Sequence, residues 1–401
     1  MYHDWLGNTV TADSAATVQG IDDFVHGFVA YETKAVNILA TADNDPDCCL
    51  ANAYAAMLYM FLEARQAPEL AAPYLARAEA AAPGATAREQ MATAAVRAWV
   101  DNDILLAQKL CAETAALFPH ELATVKAGQY HHFNLGDAPG MLRLAEAIIE
   151  ANQDLAYAHG MLAFGQEQCH LLAEAEQSAR RAIDLQHKEP WAHHAIAHVM
   201  LTQGRLDEGR VFMTEMQPTW TDLNSFMYSH NWWHTAVFDL ALGDHASALA
   251  IYDDHCWGLE KDYAQDQIGA VSLLARLELA GVDVGARWAD VAGYLKPRVD
   301  DHVQPFLTMQ YVYGLARAGL EEADQMMASV AEFAETAPEF QRAAWAEVCV
   351  PACRGLLAHA RGDYSATVQN LGPVIPRLEE IGGSHAQRDL FVLVARDAAE
   401  R

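Results

Sequence analysis

Seven turn positions constrain this chain more than any other feature. Gly136, His170, Gly204, Gly243, Gly281, Gly319 and Gly362 follow one another at separations of 34, 34, 39, 38, 38 and 43 residues. Each lies between two Ala-rich stretches, about 12 to 16 residues long, in which apolar side chains recur at i, i+3, i+4 and i+7. Glycine at such a point admits a left-handed backbone that other residues resist, so one helix can stop and the next can double back. A period of this length, two helices and a turn per repeat, predicts an all-α solenoid of helical hairpins.

Within that period the best-formed units run over 155–189, 190–222 and 223–255. Aligned on their turns, they place Ala163, Ala197 and Ala236 on the first helix of each pair. Ala175, Gly209 and Ala248 fall on the second, so small residues meet where two helix axes must approach. Units over 46–83, 87–120 and 121–154 fit more loosely, and later ones beginning near Asp262, Pro305 and Trp345 are longer. Pro46, Pro83, Pro119, Pro190, Pro218, Pro305 and Pro338 fall near unit junctions, where a missing N–H is tolerated. Pro351, Pro373 and Pro376 fall inside expected helices and call for a kink or a different boundary. The expectation is one helical-repeat domain over 1–401. It comprises an N-terminal cap (1–44), the better-formed units (45–255), longer hairpins (256–383) and a capping helix (384–401) opened by Ser384 as N-cap.

Charge decides which partners are excluded. Against 26 Lys and Arg stand 54 Asp and Glu, a net charge of −28 that repels nucleic-acid phosphates and anionic lipid. Neither nucleic acid nor a membrane is expected as a partner. The opening Met1-Tyr2-His3-Asp4-Trp5 carries no basic and apolar leader pattern, so the expected location is the cytoplasm. No apolar run approaches the roughly 18 residues of a membrane span. Seven cysteines without a CxxC pair imply neither a disulfide framework nor a zinc knuckle. Cys349 and Cys353, four residues apart, read as small buried thiols. The glycine patterns of a hydrolase elbow, a P-loop and a dinucleotide fold are missing.

Chemistry-bearing residues gather instead on two successive first helices. His194 and His198, then His230 and His234, each have a spacing that puts both imidazoles on one helix face. The four are candidate metal ligands. His194-Ala195-Ile196-Ala197-His198 lacks the glutamate that follows the first histidine of zinc proteases, and no cofactor is required by the sequence, although a divalent metal would suit four imidazoles. Glu167 is a candidate oxygen ligand, acid or orienting carboxylate. His193 reads as a hydrogen-bonded core histidine. In Tyr130-His131-His132, His132 is the candidate and His131 reads as peripheral. Arg388 and Asp389, in the last helix, either reach back into a groove or pair with each other.

The small-on-small alignment, with Leu172 and Leu206 just after their turns, is similar to the tetratricopeptide repeat. More specifically, the chain resembles the tetratricopeptide repeat protein 38 family. The resemblance is carried by His194-x-x-x-His198-Val199, Gln203-Gly204-Arg205-x-x-Glu208-Gly209, His230-Asn231-Trp232-Trp233-His234 and Gly243-Asp244. Ser272-Leu273-Leu274-x-Arg276-Leu277 and Gln387-Arg388-Asp389-x-Phe391 add to it. It implies a right-handed superhelix whose first helices line a concave face and carries no family-wide activity. On that face it places Gln129, His132, Tyr157, Phe164, Glu167, Trp191, His194, His198, His230 and Trp233, with His234 at the edge and Trp232 between helices.

Three functions follow as expectations. The first is a binding protein that holds a small molecule or short peptide in a concave pocket. Its candidate ligand-binding residues are His132, Tyr157, Glu167, Trp191, His194, His198, His230, Trp233, His234, Arg388 and Asp389. The second is an enzyme in the same pocket with His198 or His230 as base, Glu167 as acid or orienter and Arg388 as anion stabiliser, with or without a metal. The third is a protein-interaction scaffold. A homodimer is the default assembly.

Overall fold

The computed structural model describes residues 2–401, and these are almost wholly helical. The exception is a short antiparallel pair, β1 (Tyr2–His3) with β2 (Thr9–Val10). Then come α1 (Ala15–Ala30), α2 (Asn37–Asn44), α3 (Cys49–Met60), α4 (Ala67–Ala81), α5 (Ala87–Val100), α6 (Ile104–Leu117), α7 (Leu122–Asn134) and α8 (Ala138–Ile149). Next are α9 (Ala156–Gln168), α10 (Leu172–Leu185), α11 (Pro190–Thr202), α12 (Leu206–Met216), α13 (Ser225–Ala241), α14 (His245–Ile251), α15 (Ala264–Leu279) and α16 (Arg287–Leu295). The chain closes with α17 (Pro305–Arg317), α18 (Glu322–Thr336), α19 (Glu339–Ala343), α20 (Val350–Ala360), α21 (Tyr364–Leu371) and α22 (His385–Glu400). Among the described residues no helix is long and apolar enough to cross a membrane.

The described residues form two compact units. One comprises residues 2–132, Asp137–Val199 and Pro218–Asn224; the other comprises Phe133–Gly136, Met200–Gln217 and Ser225–Arg401. In the first, Phe24, Tyr54, Met57, Leu75 and Val96 lie in one apolar core. The N-terminal hairpin is tied to it by polar groups: buried Arg88 pairs with Glu121 and donates to the Thr9 carbonyl (3.0 Å), and the exposed Thr11 donates through Oγ1 to buried Glu89 (2.9 Å). In the second, Leu273, Leu277, Leu295, Tyr313, Trp345 and Phe391 build the core.

All seven turn residues adopt the left-handed backbone, with φ between 58° at His170 and 84° at Gly281. Each closes its helix with the same two reversed bonds. At Gly243, its N–H donates to the Leu240 carbonyl (3.1 Å) and the Asp244 N–H donates to that of Asp239 (2.8 Å). At His170 the equivalent bonds reach Glu167 (2.8 Å) and, from Leu171, Gln166 (2.9 Å). This pattern satisfies carbonyls that a helix C-terminus leaves unpaired. An eighth turn of this kind, at Asn102 (φ 58°), has no glycine to announce it. At four turns the next residue is an aspartate, and Asp103, Asp137, Asp244 and Asp363 each cap the following helix by accepting from an N–H three residues on.

The small residues at the crossings are buried, Ala163, Ala175, Ala197, Ala236 and Ala248 completely. A side chain at Gly209 would strike the Phe238 ring. The three internal prolines sit where the α ladder is interrupted. Pro351 follows a wide π turn over Ala344–Cys349, and Pro373 and Pro376 lie in a tighter helical segment over Gly372–Ile381. Ser384 caps α22 in a reciprocal box with Gln387.

Two substitutions test this geometry in opposite directions. A Cβ on Gly355 would lie 2.7 Å from Leu371 Cβ and 3.0 Å from its backbone nitrogen. Gly355→Ala is expected to cost about 1–3 kcal/mol through overpacking, read as a lower denaturation midpoint. His170→Gly removes a side chain from a left-handed position and is expected to stabilise the chain by about 0.5–1 kcal/mol in the same assay.

Candidate functional site

In the first unit the candidates form a buried relay. The turn at His170 fixes the last turn of α9, and with it Glu167, which is fully buried. One of its oxygens lies 3.5 Å from His198 Nδ1; the other accepts from the Gln168 side-chain amide. On α11 the four-residue spacing brings His198 Nε2 within 2.9 Å of His194 Nε2, with both rings 1% exposed. Trp191 stacks on His194 (centroids 4.4 Å, 22°), and Phe164 stands edge-on to His198 (5.7 Å, 83°). Aromatic walls thus hold two imidazoles and a carboxylate in a file.

Around this file burial shifts the charged groups. Burial pushes the Glu189 carboxyl up to about 8, against a bond from the Ala192 N–H and the charge of Lys126. Burial pushes the Lys126 ammonium well below the ordinary lysine range, though it donates to the Phe28 (2.8 Å) and Val29 (3.1 Å) carbonyls and lies 3.5 Å from the Tyr31 ring centroid. Tyr157 bonds His26 (3.1 Å) and accepts from Gln186 (2.8 Å). Gln129 spans the Met141 and Met161 carbonyls.

His193 is a core histidine. Its Nδ1 accepts from the Trp220 indole (3.2 Å), its Nε2 faces the His187 carbonyl (2.9 Å), and burial pushes its pKa down to about 3. The two histidines at the end of α7 reverse their expected placement. His131 is buried, edge-on to Trp99, whereas His132 is the more exposed and holds Asp137 (2.7 Å) and Gln108 (3.1 Å). α7 is buried on nearly every side, His131 included, and the Asp137 cap draws His132 toward the turn.

In the second unit His230 and His234 cross nearly at right angles (4.8 Å, 83°), and Phe226 stacks on His230 (5.2 Å, 25°). Trp233 lies parallel to His230, with the Arg276 guanidinium over its ring. These two residues open onto a small cleft whose enclosed space is about 10 Å³, close to what one water molecule occupies. Its floor is one face of α15, where Gln265, Ile268, Gly269 and Ser272 follow the i, i+3, i+4, i+7 spacing. Gln310 of α17 and Gln387 of α22 complete it. Three lining groups are buried without a hydrogen-bond partner: the Trp233 indole N–H, the Ser272 hydroxyl and the Gln310 amide oxygen. Sequence reasoning missed Ser272 and Gln310 as site residues, because polar residues on a helix face read as a solvated surface.

Trp232 stacks on His255 (3.7 Å, 4°) between elements of the same unit. Asp389 pairs with the buried Arg276 (3.3 Å), not with Arg388, whose guanidinium closes onto the Gly383 carbonyl and His385. The seven cysteines are free thiols, Cys349 and Cys353 with their sulfurs 3.9 Å apart. No protein-family model matches the chain.

The neutral, buried state of His193 sets a pH dependence. Below about pH 6.5 the unfolded chain takes up a proton that the native imidazole refuses until about pH 3, so stability is present above that window and lost on acidification. Measured against His193→Asn by urea denaturation, the wild type is expected to lose about 1.4 kcal/mol more per pH unit between roughly pH 6 and 4.

Proposed function

We propose that the protein binds a small polar molecule in the cleft of its second unit. The observation that supports this reading is the concentration of unmet hydrogen-bonding capacity on one lining: the indole N–H of Trp233, the hydroxyl of Ser272 and the amide oxygen of Gln310. An unsatisfied buried polar group costs about 1–3 kcal/mol, and a ligand that meets three of them recovers that cost. A compound with an acceptor for Trp233 and Ser272 and a donor for Gln310 matches the set, and with about 10 Å³ of enclosed space the cleft admits only its polar head, as in a small amide or carboxylic acid. The hairpins are proposed to wind as a right-handed tetratricopeptide-like superhelix of the protein 38 type. That reading is supported by the repeated left-handed turns and small-residue crossings.

Gly269 supplies the test, since a side chain there meets nothing within 4 Å. In a thermal-shift and calorimetric screen of small amides and carboxylates, a compound that binds the wild type is expected to lose about tenfold in affinity in Trp233→Phe. Gly269→Leu, which fills the cleft, should abolish binding while keeping the fold. Ligands that bind both variants as they bind the wild type would place the function elsewhere.

A further inference from the structure

The relay in the first unit carries a second ligand chemistry. His198 Nδ1 faces Glu167, and its Nε2 faces His194 Nε2 at 2.9 Å. A proton on Nδ1, on the side of the carboxylate, leaves the Nε2 of His198 a lone pair beside the Nε2 of His194, where an ion could take the place of the proton they share. Carboxylate, imidazole and ion in that order is how proteins orient a metal-binding histidine and raise its basicity. We propose that His194 and His198 bind a first-row divalent metal ion through their Nε2 atoms, with Glu167 as the positioning residue behind His198.

The hydrogen-bond spacing of the two nitrogens is close to what an ion bridging them needs. With metal–nitrogen bonds of about 2.0–2.1 Å, two nitrogens 2.9 Å apart subtend about 90° at the ion, the angle between neighbouring ligands of an octahedron. A tetrahedral pair would stand about 3.3–3.4 Å apart. Imidazole nitrogen suits zinc, copper, iron and nickel and disfavours magnesium or calcium. The surroundings fit as well. Trp191 and Phe164 fix both rings, and neither imidazole reaches solvent, so an ion there keeps its ligands in place. The second unit repeats the construction: His230 and His234 lie 36 residues after His194 and His198, again crossed and again with an aromatic ring stacked on the first.

Cobalt(II) is the probe, added to full-length, untagged protein purified without chelator. Equilibrium dialysis and the visible absorption of the bound ion give occupancy and affinity. The wild type is expected to take up cobalt, and His194→Asn/His198→Asn, folded by circular dichroism, is expected to lose it. Glu167→Gln leaves both ligands in place and should weaken binding 10- to 100-fold. Affinity should fall as pH drops through the histidine range, because protons compete for the same nitrogens. The proposal is overturned by wild-type binding no stronger than that of the double variant, by an unchanged affinity in Glu167→Gln, or by cobalt that is lost only in His230→Asn/His234→Asn. The first of these results would leave His194 and His198 as a hydrogen-bonded pair beside Glu167, without an ion.

Discussion

A single backbone device underlies everything else in this chain: a left-handed residue that ends one helix, with two reversed hydrogen bonds that satisfy its last carbonyls. Because the motif fixes the exit direction of the chain, the second helix of each hairpin returns against the first. The crossing point then falls on the small residues set aside for it. Packing follows from the turn. An alanine or glycine at the crossing is useful only because the turn delivers the partner helix there, as the contact of Gly355 with Leu371 across the Gly362 turn illustrates. The same device reaches the chemistry. His170 closes α9 by binding the Glu167 carbonyl, so the residue that ends the helix also fixes the carboxylate behind His198.

Periodicity made the turns legible where glycine marks them. Even His170, with no glycine, could be placed by counting from its neighbours, and the capping role of Ser384 followed from the residues around it. Asn102 lies 34 residues before Gly136, the same step that separates His170 from it, but asparagine adopts the left-handed region without marking a turn in the sequence. The prolines of the later units signalled an interruption and left its form open. A π turn before Pro351 and a tightened helix around Pro373 and Pro376 are two different answers to the same missing N–H.

Side-chain chemistry was legible in part. Four-residue spacing correctly paired His194 with His198 on one face, and the aromatic stacking around them fits the density of rings in that stretch. Placement failed where a single turn of helix decides it. His131 and His132 differ by one position, and a capping aspartate beyond the helix drew one of them toward the turn. The cleft of the second unit was invisible for another reason. Its floor uses four residues of α15, and nothing in Gln265, Gly269 or Ser272 separates a lining from a solvated face until α13, α17 and α22 cover them. Buried polar groups without partners are a property of the assembled fold, so no reading of one helix can find them.

The central claim is that this cleft is a binding site. A crystal structure of protein taken directly from cells and never exposed to chelator or competing ligand tests it most directly. The account predicts an ordered polar molecule within hydrogen-bond distance of the Trp233 indole nitrogen, Ser272 Oγ and Gln310 Oε1. It would be contradicted by a cleft in which these three groups turn to bond one another and close the space.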